Sequence, residues 1–76
     1  MTTLDKIPIG SSAVVVEINT PQALTQRLFD IGLVIGTQVS VIHKSPSGDP
    51  RAYLIRGAVI ALRNCDAKNI IVEGEV

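Results

Sequence analysis

A chain of 76 residues with 46% hydrophobic but only 3% aromatic side chains can hold one core, filled by Val, Ile, Leu and Ala, and has no room for a second domain of ordinary size. Seven basic and seven acidic residues leave no net charge, which disfavours a life on the phosphate backbone of nucleic acids. The lone Cys65 excludes an internal disulfide, and neither a basic leader nor an apolar run of roughly 20 residues is present, so the chain reads as cytoplasmic.

In chain order, SAVVVEI (12–18) follows the turn signal Pro8-Ile9-Gly10-Ser11 and alternates with period two, which predicts a strand with Val14, Val16 and Ile18 on one face and Ala13 and Val15 on the other, toward a second layer or a partly covered surface. TPQALTQRLFDIG (20–32) predicts a helix over about residues 21–31, with Thr20 as its N-cap and Pro21 in the first helical position. Leu24, Leu28 and Ile31 recur at i, i+4 and i+7 as one narrow apolar stripe, and Gly32 supplies the positive φ that ends a helix. Leu33-Val34-Ile35 then form a tight apolar connection, and Gly36-Thr37 lead into the next strand.

QVSVIH (38–43) predicts a strand with Val39, Val41 and His43 on one face. SPSGDP (45–50) reverses the chain, RAYLIR (51–56) returns, Gly57 breaks it, and AVIALR (58–63) resumes with Ala58, Ile60 and Leu62 on one face. NIIVEG (69–74) closes the set. Five short strands and one helix in so few residues predict a mainly β fold: a small, bent, five-stranded antiparallel barrel with the helix inserted after its first strand.

The residues that carry chemistry are few. One Cys and one His on different elements cannot build a closed zinc site, and only weak coordination by His43, Asp49, Glu73 or Glu75, shared between copies, is conceivable. A single imidazole and no phosphate-binding loop argue against an enzyme. Residues 37–63 carry four cations against Asp49 alone, whereas 64–76 carry Lys68 against Asp66, Glu73 and Glu75. Within the basic segment, Arg51, Tyr53 and Arg56 are residue types enriched at protein interfaces, and the aliphatic turn Leu33-Val34-Ile35 offers a second docking patch.

Placed together, these pieces resemble the FeoA family. The resemblance rests on Leu4 and Pro8-Ile9-Gly10, then Arg27-Leu28-x-x-Ile31-Gly32-Leu33-x-x-Gly36-Thr37-x-Val39-x-Val41. It continues through Ser45-Pro46-Ser47-Gly48-Asp49-Pro50 and Gly57-x-x-x-Ala61-Leu62-Arg63 to Ala67-x-x-Ile70-x-Val72. One departure is Ile35, where the family commonly has proline before the turn glycine. The resemblance implies one FeoA-type domain over 1–76, a barrel of the Src-homology-three type, and a non-enzymatic accessory of bacterial ferrous iron uptake. Such a protein needs no cofactor, beyond weak binding of ferrous iron or zinc, and works by contact with the cytoplasmic GTPase region of a FeoB-type membrane transporter. It would reach the inner membrane only through that partner, with self-association left open and nucleic acid not expected. A similar domain is appended to metal-dependent repressors of the diphtheria-toxin-repressor type, which implies the alternative of a metal-sensing regulatory domain.

Overall fold

The segments read as alternating strands fold as strands. In the computed structural model, which describes residues 1–74, they form β1 (Thr2–Thr3), β2 (Ser12–Ile18), β3 (Gln38–Lys44), β4 (Arg51–Ile55), β5 (Ala58–Leu62) and β6 (Ile70–Glu73). A 3-10 turn (Leu4–Lys6) follows β1, helix α1 (Gln22–Asp30) links β2 to β3, and a four-residue helix α2 (Asn64–Ala67) links β5 to β6. The six strands make one antiparallel sheet in the order β1-β6-β2-β3-β4-β5. The expected five strands thus gain a sixth, the short β1, and no ladder among the described residues joins β1 to β5, so the sheet is open rather than closed. Residues from β2, β3, β4, β5 and β6 all enter one core cluster with Leu4, Ile7, Leu28, Leu33 and Ala67, which requires the sheet to curl around it.

Two register shifts decide which side chains enter that core. In β2 the expected inward set Val14, Val16 and Ile18 is replaced by Ala13 and Val15, both fully buried, with Ile18 packed at the core's edge. The cause is an extra residue: Val15 pairs with Val72 and Glu17 with Ile71, so Val16 is bulged and the alternation changes phase there. The same device acts in β3, where Val41 pairs with Tyr53 and His43 with Ala52, leaving Ile42 as the extra residue. Val39 and Val41 stay buried as expected, whereas His43 moves to the opposite, solvent-facing side. Each fully buried Val or Ile contributes about 1.5 to 3 kcal/mol, which makes the phase of these strands a principal determinant of stability.

The helix starts one residue later than the spacing predicts. Pro21 is its N-cap, and Thr20 does not cap the backbone, because its hydroxyl lies 2.6 Å from that of Thr25. At the other end the Leu33 N–H donates to the Leu28 carbonyl (2.8 Å) and the Gly32 N–H to the Phe29 carbonyl (3.0 Å), the paired bonds of a Schellman ending. Leu28 and Leu33, the two residues that flank such an ending, are both buried, so the helix stop and the core contact are one feature. Gly32 has φ of 96°, and a Cβ there would lie 2.4 Å from Arg56 Cδ. Gly32→Ala is therefore expected to lower stability by about 1 to 2 kcal/mol through backbone strain. It should also push the Arg56 side chain aside; urea unfolding measures the first effect and the Arg56 side-chain NMR signals the second.

Candidate docking face

The junction between α1 and β3 is held by Thr37, whose side chain is buried. Its hydroxyl donates to the Gly32 carbonyl (3.0 Å) and accepts from the Val34 N–H (3.1 Å). Its carbonyl accepts from the Val15 N–H (2.9 Å), and the neighbouring Gly36 N–H donates to the Val15 carbonyl (2.7 Å). The turn is thereby locked to β2. Within it Leu33 is buried in the core, Val34 is half-buried, and Ile35 is 68% exposed. An aliphatic side chain held outward on a fixed turn has already lost much of the backbone freedom that binding would otherwise cost.

Beside this turn lies the β4–β5 hairpin, closed by only two residues, Arg56 (φ 49°) and Gly57 (φ 86°). Positive φ at both positions matches the turn that best suits the right-handed twist of a hairpin. The two turns flank an open groove of about 410 Å³, lined by Gly36, Thr37, Gln38, Ser40, Leu54, Arg56 and Gly57. Leu54 is 37% exposed and pairs with Ser40 on one side and with the 61% exposed Val59 on the other. The Ser40 hydroxyl lies 2.7 Å from that of Ser12 on β2. Around the groove the outer face is thus a mixture of exposed aliphatics and paired hydroxyls, with Arg56 at its edge.

Of the six residues expected at a docking surface, Arg56 lines the groove, exposed Ile35 directly precedes its lining residue Gly36, and Val34 is half-buried in the same turn. Arg51 and Tyr53 belong elsewhere. They alternate in phase with Ile55 and point to the inner face, where Tyr53 is fully buried and Arg51 is 9% exposed. The Arg51 guanidinium donates to the backbone carbonyls of Asp5 and Ile7 and stacks 5.6 Å from the centre of the Tyr53 ring. It ties the N-terminal segment to β4 and is not free to meet a partner. Burial pushes the Tyr53 phenol above its ordinary pKa of 10.0, against the opposing pull of the Arg51 charge. Leu33, too, is core. The residues that reading by type missed are Leu54, Gln38 and Ser40; their signal was strand alternation opposite Tyr53 and Val41, readable only once the inward face was known.

The weak metal candidates do not converge. His43 stands exposed on β3, and Glu73 ends β6 on the far side of β2. The Asp49 carboxylate accepts from the Asn64 N–H (2.9 Å) at the start of α2, while the Asn64 amide reaches the Gly48 carbonyl (3.2 Å). Asp49 therefore latches the 45–50 loop onto α2, and Glu75 lies outside the described residues. No group of three or more His, Cys, Asp or Glu able to hold a metal ion occurs among the described residues. No helix there is long and apolar enough to cross a membrane.

The FeoA domain model matches residues 2–74. The chain belongs to the FeoA family. It is 31% identical over 70 residues to an Fe(2+) transport protein A/Fe(2+) transporter FeoB fusion protein of Porphyromonas gingivalis, covering 92% of this chain but only 8% of that much longer protein. Among solved structures, the FeoA protein of Chlorobium tepidum superposes with a TM-score of 0.90 at 31% identity, over 93% of this chain and 68% of that one. The FeoA of Stenotrophomonas maltophilia, described as a prokaryotic SH3 domain protein and solved in complex with zinc, gives 0.84 at 31% identity, over 96% and 91%. A manganese-dependent transcriptional repressor at 18% identity shares the fold, with a TM-score of 0.80 over 92% of this chain and 39% of its own. The expected fold, a small Src-homology-three-like β domain with one principal inserted helix, is the observed one apart from the sixth strand, the open sheet and α2.

Proposed function

We propose that this protein is a non-enzymatic accessory of ferrous iron uptake that acts in the cytoplasm by docking on the cytoplasmic region of a FeoB-type transporter. Support comes first from the P. gingivalis relative, a single protein named for both a FeoA and a FeoB part, since fusion makes sense for partners that work in contact. The observation that carries the reading to named residues is the locked turn that leaves Ile35 outward beside the Arg56 groove. Ferrous iron is the transporter's cargo in this reading. The zinc in the S. maltophilia structure is a property of that protein, and His43, Asp49 and Glu73 belong to no group of three or more metal-ligating residues among the described residues here. The mechanism is positional: a rigid β scaffold offers an aliphatic anchor and a polar rim, and binding biases the transporter toward one of its states.

The test is affinity for the purified cytoplasmic region of a FeoB-type transporter, by calorimetry. Ile35→Asp is expected to weaken binding by about 1 to 2 kcal/mol, roughly tenfold, as for an anchor at an interface. Its unfolding midpoint should match the wild type, because Ile35 contributes little to the core. No binding by the wild-type chain would refute the proposal.

A further inference from the structure

Resting on that reading, we infer that the groove between the 33–37 turn and the β4–β5 hairpin recognises an acidic side chain of the partner, with Arg56 as the residue that selects it. Three observations converge. The first is conformational: Arg56 occupies the first position of a two-residue turn with φ of 49°, where Asn before Gly is the preferred pair and a long side chain gains nothing from the backbone. An arginine at such a position points to a task for its side chain.

The second is positional. Arg56 Cδ and Nε lie over Gly32, at 2.4 Å and 3.1 Å from where a Cβ would stand, so the side chain can lie flat across the end of α1 only because residue 32 has none. The stem thus rests against the helix end, and Arg56 also contributes to the lining of the groove beside it. The third is electrostatic: among the described residues, Arg56 is the one charged residue lining the groove, and no carboxylate lines it. Exposed Leu54 and the Gln38 amide stand within the same lining. A planar, permanently charged guanidinium beside an aliphatic patch fits an extended segment that carries Asp or Glu next to an aliphatic residue. A basic or purely apolar segment would leave the charge without a partner.

The experiment compares wild type, Arg56→Asn and Arg56→Lys for affinity toward the cytoplasmic region of a FeoB-type transporter, at low and high salt. Asn suits the turn, so that variant should unfold at or above the wild-type midpoint, which separates binding from folding. It is expected to bind about tenfold more weakly and to lose most of the salt dependence, while Lys retains part of both. Arg56→Asn binding with wild-type affinity, or with an unchanged salt dependence, overturns the inference and leaves the docking proposal standing. A wild-type chain that does not bind removes both.

Discussion

Arg51→Ala is expected to lower the free energy of unfolding by about 3 to 5 kcal/mol, the cost of removing one partner from a buried charged network. A domain of this length has roughly 4 to 11 kcal/mol in total, so the variant should be marginal, and urea unfolding would show it directly. The reason lies in what the guanidinium holds. It donates to the carbonyls of Asp5 and Ile7, 46 and 44 residues away in sequence, and it is the tether between the N-terminal turn and β4. Its loss strands two backbone acceptors and loosens Leu4 and Ile7, which sit in the core. Arg51→Lys should recover less than half, since one ammonium cannot reproduce a fork that reaches two carbonyls. Hydrogen exchange should locate the damage, with the amides that follow Thr3 losing protection before those of β3.

The second large effect is at Tyr53. Truncation to alanine should cost about 3 to 5 kcal/mol through lost apolar contact and the cavity left behind. Tyr53→Phe should stay within about 1 kcal/mol of wild type, because the hydroxyl makes no hydrogen bond among the described residues while the ring fills the core. The same burial predicts a pH response. Desolvation raises the phenol's pKa in the folded state, so the folded chain binds that proton more tightly than the unfolded chain does. This contribution is fully present below pH 10 and is lost as pH rises beyond it. Tyr53 is the only tyrosine, so ultraviolet absorbance in an alkaline titration reports it alone. The phenolate signal should rise together with loss of structure, not before it.

How far this could be read from the sequence depended on where the alternation held. Within Arg51–Ile55 and again within Ala58–Leu62, on either side of the two-residue turn, the period of two is unbroken, and the phase that turns Ile60 and Leu62 inward follows directly from it. In β2 and β3 one bulged residue each, Val16 and Ile42, inverted the phase, which sent Ala13 and Val15 inward and His43 outward. A bulge changes no residue type and so leaves no composition signal. The helix stop at Gly32 was legible because positive φ selects glycine. The four residues of α2 were not, since one turn is too short to show a period of 3.6, and its cap comes from Asp49 in another loop. The candidate face was legible in part for the same reason: exposed Ile35 and Arg56 sit at turns marked by Gly36 and Gly57, whereas residue type alone suggests a surface for Arg51 and Tyr53 and strand phase puts them in the core.

The most direct test of the central claim, that this chain works through the face around the two turns, is a chemical-shift map of the labelled protein bound to the cytoplasmic region of a FeoB-type transporter. Perturbed amides are expected to concentrate in residues 34–40 and 54–59, the segments that border the groove and its apolar flank. Perturbations centred instead on the N-terminal turn, α2 and β6, with the groove unchanged, would contradict it.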